Sequence, residues 1–394
     1  MREIVMGKDI TGKNTNDTLD NHFDKKRRQV LKGLAAAGIT GLAASYGMSP
    51  AFAAKKVNMG FIYVGPRDDY GYNQAHYEGK SAVAAMDWVK AVDEENVPET
   101  IEVVKTMESM INLDGAQVLF PTSFGYFDPH ILKTAPKYPD VMFLHCGGLW
   151  DASKHPKNVG SYFGYIDEPV YVSGIVAGHM SKTGKLGYIA AIPIPQVLRN
   201  INNFTMAARS VNPNITTTVV FTGGWANPVK EAEAANSMVD QGIDVLTCHV
   251  DSPKVVVETA EKRGAYSCGY HANQMTLAPK GFLTGAEWNW SKVYTDYAEM
   301  IKSGKTIPNL VRGGFKEGIV KSSPYGAAVT DKAKKHADEV RDKFKDGSMV
   351  VYKGPIKDNT GKIVIPEGKE YSQTDIWLES MDWMVEGVIG TTKS

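Results

Sequence analysis

The chain has 394 residues, with 44 Lys/Arg set against 44 Asp/Glu and 43% hydrophobic residues. That length allows two domains, each able to bury a core, and the composition is that of an ordinary globular protein. Residues 1–53 carry 8 basic and 5 acidic side chains, leaving 36 against 39 in the remainder, which excludes a basic footprint for nucleic acid or anionic lipid. Three cysteines, Cys146, Cys248 and Cys268, are too few for a disulfide scaffold or a repeated zinc-ribbon spacing. A Cys248–Cys268 bridge between neighbouring strands is disfavoured, because parallel strands seldom present disulfide geometry.

The N-terminus reads as an address. Asp24-Lys25-Lys26-Arg27-Arg28-Gln29-Val30-Leu31-Lys32 opens a cationic region, an Ala/Gly-rich apolar stretch follows over residues 33–46, and Ala51-Phe52-Ala53 is a small-x-small cleavage site. The Arg27-Arg28 pair resembles a twin-arginine export signal. The apolar stretch is shorter than the roughly 20 residues of a spanning helix. The mature chain is expected to start near Ala54, with no lipid-anchoring cysteine at the cleavage site and no later run of membrane-spanning length.

From there, short apolar runs alternate with helix-like stretches. Residues 57–64 read as a buried strand and 74–92 as an amphipathic helix. Strand 117–120, helix 127–137 and strand 141–145 follow. Helix 169–182 leads into strand 186–190, where the alternation restarts: helix 196–211, strand 216–221, helix 228–241, strand 245–249, helix 252–263, strand 266–270 and strand 282–284. Continuous apolar strands alternating with helices predict parallel sheets covered by helices. The restart predicts two doubly wound α/β lobes rather than one large sheet. The expected boundaries are 54–166 plus about 285–325 for the first lobe, and about 167–284 plus about 326–394 for the second.

In such sheets ligands bind outside the carboxyl ends of the strands, so the post-strand segments are where function is expected. They are Gly65-Pro66-Arg67-Asp68-Asp69-Tyr70-Gly71-Tyr72-Asn73-Gln74, Pro121-Thr122-Ser123-Phe124-Gly125-Tyr126, Thr222-Gly223-Gly224-Trp225-Ala226-Asn227-Pro228, Val250-Asp251-Ser252, His271-Ala272-Asn273-Gln274 and Gly285-Ala286-Glu287-Trp288-Asn289-Trp290. They share aromatics, amides or carboxylates, and glycines. Flat aromatics can sandwich a planar ligand, at about 1–3 kcal/mol per stacked ring. Amides and carboxylates can read its edge. With no P-loop, GxGxxG or Arg/Lys cluster there, the composition suits an uncharged polar heterocycle better than a phosphate. The candidate ligand-binding residues are Asp69, Tyr72, Asn73, Phe124, Trp225, Asp251, His271 and Trp288. The competing reading is local: Asp69 and Asn73 as caps of the helix near Gln74, and Asn227 and Ser252 as helix caps, the preferred reading for both.

Asp68-Asp69-Tyr70-Gly71-Tyr72-Asn73-Gln74 resembles the Asp-Asp-x-Ser-Phe-Asn-Gln of the basic membrane protein family of ABC-transporter solute-binding proteins, which includes bacterial purine nucleoside receptors. Further matches are Tyr138-Pro139-Asp140, Glu168-Pro169-Val170-Tyr171, Gly174-Ile175-Val176-Ala177, Ser181-Lys182-Thr183-Gly184-Lys185-Leu186-Gly187, Val211-Asn212-Pro213 and Met384-Val385-Glu386-Gly387. The resemblance runs over nearly the whole mature chain. It implies a type I periplasmic-binding-protein fold, two lobes on a hinge, and a purine stacked between aromatics. Tyr72 stands where the family has its stacking Phe, Asn73 and Asp69 at neighbouring polar contacts, Trp225 at the second lobe's aromatic, and Phe124 at a further first-lobe aromatic. Where nucleoside-binding members have Gly-Val-Asp-x-Asp-Gln, this chain has Gly269-Tyr270-His271-Ala272-Asn273-Gln274. His271 therefore replaces the Asp expected on ribose hydroxyls. With Trp288 and Trp290 after Glu287, this predicts a smaller or differently polar pocket, for a free nucleobase or related heterocycle such as adenine rather than a nucleoside.

The expected function is capture of a small molecule in the periplasm, hinge closure, and delivery by a monomer to an inner-membrane permease, with no cofactor and no catalysis. Two other classes compete. A nucleoside-acting hydrolase would draw on Asp68, Asp69, Asp251 and His271, but the chain has no HExxH, Gly-x-Ser-x-Gly or spaced His/Cys set. A sensor domain would present the ligand to a separate receptor.

Overall fold

The computed structural model describes residues 56–148 and 150–392. The export-signal reading, on residues 1–53, lies outside them.

The first lobe is built from five strands and the helices between them. In chain order they are β1 (Val57–Ile62), α1 (Tyr72–Ala84), β2 (Val89–Glu94), α2 (Glu102–Asn112), β3 (Val118–Pro121), β4 (Met142–Cys146) and β5 (Val159–Gly164). The strands are all parallel, in the order β2-β1-β3-β4-β5. The chain then crosses to a second lobe: α3 (Asp167–Met180), β6 (Lys185–Ala190), α4 (Pro195–Val211), β7 (Thr216–Phe221), α5 (Pro228–Asp240), β8 (Val245–His249), α6 (Lys254–Arg263), β9 (Tyr266–His271) and β10 (Phe282–Trp288). Its parallel order, β7-β6-β8-β9-β10, repeats that of the first sheet.

Two further crossings complete both sheets. After β10 comes α7 (Trp290–Lys302), which packs on α1, and then β11 (Leu310–Gly313), which pairs in parallel with β5. The chain returns as β12 (Val320–Ser322), antiparallel to β10, and continues into α8 (Asp331–Asp346). Near the end, the strand Val388–Ile389 pairs in parallel with β7. The crossings are tied to one another. The Tyr165 amide donates to the Gly313 carbonyl at 2.8 Å, and Asn289 to Ile319 at 2.8 Å. Glu168, at the start of α3, accepts from the Phe315 amide at 2.7 Å. Burial pushes its carboxyl up to about 8.

One expected element is corrected. The helix read over 74–92 ends at Ala84, and residues 89–94 form β2, in register with β1 from Val57↔Val89 to Ile62↔Glu94. Val89 and Val92, three residues apart, suit a helical face and fall on opposite faces of a strand; pairing along the edge of β1 makes the run a strand. The strand read over 282–284 extends to Trp288, which makes Glu287 and Trp288 part of a strand end.

The two helices α3 and α4 pack tightly through glycines. A Cβ on Gly174 would sit 2.4 Å from the Phe204 carbonyl oxygen, and one on Gly178 would sit 2.8 Å from that of Ala208. Backbone cannot retreat as a side-chain tip can, so overpacking here strains the core. Gly174→Ala is expected to cost about 1–3 kcal/mol of unfolding free energy, read from the urea midpoint at unchanged slope.

Candidate functional site

Both sheets turn their strand carboxyl ends toward one cleft. A cavity of about 220 Å³ lies there, lined by Tyr72, Ser123, Phe124, Cys146, Gly147 and Phe163 from the first lobe. Across from them stand Ile194, Pro195, Gln196, Trp225, His249, Asp251, His271 and Trp288 from the second lobe, with Glu379 from the C-terminal segment. The lining follows the strand ends, as expected of a 2-1-3-4-5 sheet whose strand order reverses beside its first strand.

Six of the eight candidates line this cavity: Tyr72, Phe124, Trp225, Asp251, His271 and Trp288. Asp69 and Asn73 do not. The Asp69 carboxylate accepts from the amides of Gly71 (2.8 Å), Asn73 (3.0 Å) and Gln74 (2.9 Å) and from Asn73 Nδ2 (2.8 Å). Asn73 Oδ1 accepts from the Gly65 amide at 3.3 Å. Both side chains are occupied in building the start of α1, where free amides favour an anion. Their effect on the cavity is to set the position of Tyr72, whose hydroxyl donates to the Thr122 carbonyl at 2.6 Å.

The aromatic walls differ in freedom. Phe124 is 52% exposed, a large apolar ring left uncovered at the cavity. Trp225 is half-buried, in a tilted contact with His249 at 6.2 Å. Trp288 is buried and committed: its Nε1–H donates to His271 Nδ1 at 2.8 Å, and its ring stacks on Trp290 at 4.7 Å. This bond requires the proton of neutral His271 to sit on Nε2. His271 holds that place with φ of +72°, in the left-handed region that non-glycine residues rarely adopt. Trp290, by contrast, is buried against His76 and does not line the cavity.

Burial shifts His249, His271, Cys146 and Asp251 toward their neutral forms. His249 is pushed down to about 3, and His271 is lowered by burial and by the neighbouring His249 and His76. The Cys146 thiol is raised to about 12. Burial and the nearby carboxylates Asp69, Glu99 and Glu231 raise Asp251 well above the usual carboxylate range. All three cysteines are buried and free, so Cys248 and Cys268 are not bridged. Among the described residues no cluster of three or more His, Cys, Asp or Glu could hold a metal ion.

The lobes touch beside the cavity. The Tyr72 amide donates to the Asp251 carbonyl at 2.8 Å. Ser252 Oγ donates to the Asp69 carbonyl at 2.6 Å, so it is a bridge between lobes rather than the helix cap read from sequence. Gln274 Nε2 donates to the Tyr70 carbonyl at 2.5 Å. Tyr70, like His271, has positive φ, +56°. Gly71 is required at this contact, since a Cβ there would lie 1.9 Å from the Asp251 carbonyl oxygen. Asn227 does cap α5, accepting from the Lys230 amide at 3.2 Å with Pro228 at the first helical position.

Residues 56–353 match the family model described as "ABC transporter substrate-binding protein PnrA-like". The chain belongs to this PnrA-like family of substrate-binding proteins. Among curated relatives of this PnrA-like chain, a purine-binding protein of Brucella abortus is 35% identical over 86% of the chain and 94% of its own length. A Haloferax volcanii protein named as a putative ABC transporter glucose-binding protein is 29% identical over 95% of the chain and 100% of its own. Among solved structures, an ABC transporter solute-binding protein of Conexibacter woesei superposes with a TM-score of 0.62 at 20% identity, covering 74% of this chain and 97% of that one. One from Aeropyrum pernix gives 0.63 at 19% identity, covering 77% and 93%. These likenesses establish the type I binding-protein fold, and the family is one of binding proteins rather than enzymes.

Cys146, Phe163, Gln196, His249 and Glu379 line the cavity without having been singled out from sequence. His249 and Cys146 end β8 and β4, so the rule of strand ends could have found both. Any change of ligand affinity as pH rises through the raised Asp251 range is expected to belong to that carboxyl, because burial holds His249 and His271 below the usual imidazole range. A ligand that accepts a hydrogen bond from the neutral acid binds more weakly as pH rises through the raised pKa. Calorimetry should give a flat profile for Asp251→Asn and an unaltered profile shape for His271→Gln. Loss of the profile in the His271 variant would contradict this.

Proposed function

We propose that this chain is the periplasmic receptor of an ABC importer, exported by the N-terminal signal, and that it binds a purine-type ligand in the cavity between its lobes. A free nucleobase such as adenine is favoured over a nucleoside. The observation that carries the reading is the cavity's lining: aromatic rings from both lobes, with the nearby imidazoles and thiol held neutral. Such a site rewards a flat, uncharged ring. The purine-binding name of the Brucella relative points the same way. The preference for a base rests on His271 in place of a ribose-binding carboxylate, and on Trp288 and Phe163 closing the cavity around it, their rings 5.2 Å apart.

In this reading the loops at Asp69–Tyr72, Asp251–Ser252 and Gln274 join when the ligand bridges the lobes. Closure is then driven by the ligand's greater affinity for the closed state. A micromolar ligand supplies about 8 kcal/mol for this. The closed monomer delivers its cargo to the permease.

The test is calorimetric titration of refolded, ligand-free protein from Ala54 onward with adenine, guanine, hypoxanthine, uric acid, adenosine and guanosine. Tight binding of a base with weak binding of its nucleoside is expected. Tight nucleoside binding would discard the preference for a base, and no binding to any would discard the purine reading. Trp225→Ala should weaken the bound purine by at least about 1 kcal/mol with little change in unfolding midpoint. An unchanged affinity would remove Trp225 from the site.

A further inference from the structure

The chain beyond the family match returns to the cavity. That match ends at residue 353, yet Glu379, on the short helical turn Ile376–Ser380, lines the cavity beside Phe163 and Gln196. The segment carrying it is anchored on the second lobe. Arg199 Nη2 donates to the Gln373 carbonyl at 2.8 Å, and Gln373 Nε2 donates to Asp167 at 2.5 Å. Buried Asn202 donates to the Trp383 carbonyl at 3.0 Å and accepts from the Val385 amide at 2.7 Å.

Across the cleft, Glu379 meets the first lobe. Arg312 Nη1, on β11, is 2.8 Å from Glu379 Oε1, while Arg312 Nη2 donates to the Gly148 carbonyl at 2.9 Å. Arg199 Nη1 lies 3.7 Å from the same Oε1. Both ion pairs therefore fall on one oxygen of the carboxylate. Oε2 takes no ion pair, on a side chain that is 43% exposed and lines a cavity with the rings of Tyr72, Phe124, Phe163, Trp225 and Trp288 among its walls. The Arg312 pair fixes the carboxylate's position.

We propose that Glu379 is a specificity-determining residue. Its Oε2 accepts a hydrogen bond from a donor on the ligand's edge, while its Oε1 holds Arg312 of the facing lobe. The inference rests on the reading of this cavity as a purine site, and it adds a requirement: one N–H of the base faces the C-terminal segment. An anionic acceptor makes the stronger class of hydrogen bond and rejects a ligand presenting a carbonyl or a methylated nitrogen at that place.

The experiment is calorimetric titration of wild type, Glu379→Ala, Arg312→Ala and the double variant with adenine, 6-dimethylaminopurine, 9-methyladenine and D-glucose. Glu379→Ala should lower adenine affinity about tenfold or more, and the loss should persist in the Arg312→Ala background. Whichever methylated analogue blocks the donor facing Glu379 should bind wild type weakly and lose nothing further in Glu379→Ala. An equal loss for every ligand, a loss that vanishes once Arg312 is gone, or no loss at all would overturn the proposal. A wild type that binds D-glucose and not adenine would end the purine reading alone. The same tenfold loss, now for glucose, would then support Glu379 as the acceptor, and its absence would overturn it. A wild type that binds none of the four overturns both.

Discussion

Parallel strands joined by helical crossovers bring every carboxyl end of a sheet to one edge, and this molecule holds two such edges face to face. The rest of the site follows from that constraint. Each sheet has the order 2-1-3-4-5, so each opens a crevice beside its first strand. The segments leaving β1, β3 and β4 then face those leaving β6, β8 and β9. No single lobe contains the cavity, and a ligand within it must touch both.

The hydrogen bonds that join the lobes beside the cavity converge on backbone carbonyls. Tyr72 to Asp251, Ser252 to Asp69 and Gln274 to Tyr70 each use a main-chain carbonyl as acceptor. These contacts demand close approach, which is why a glycine, Gly71, lies at their centre. Two non-glycine residues in left-handed backbone, Tyr70 and His271, flank it. Strain of about 1–3 kcal/mol at such a residue persists where the surrounding structure holds it in place. Here the Gln274 bond to the Tyr70 carbonyl and the Trp288 bond to the His271 ring supply that hold.

The alternation of apolar runs and helices made three strands of the first sheet and the five parallel strands β6 to β10 of the second legible in the sequence, while β2, β5 and β11 were not read, and the rule of strand ends led to six of the cavity's residues. Where the reading failed, it failed for physical causes. Asp69 lies outside the cavity lining: a carboxylate before a helix serves equally well as an anion for free amides or as a contact for a ligand, and here its four hydrogen bonds go to the start of α1. Residues 89–92 were read as helix because Val89 and Val92, three apart, suit a helical face, and only pairing with β1 makes them strand. Glu379 was out of reach: nothing local in a segment of short hairpins says that it folds back across the cleft. Trp290 illustrates the converse, an aromatic beside the site that is absorbed into the core.

The central claim is that ligand and closure are one event. Small-angle X-ray scattering of the ligand-stripped protein, with and without saturating adenine, tests it most directly. The radius of gyration should fall when adenine is added, as the lobes meet at Gly71 and Asp251. Tight binding of adenine with an unchanged radius would contradict it.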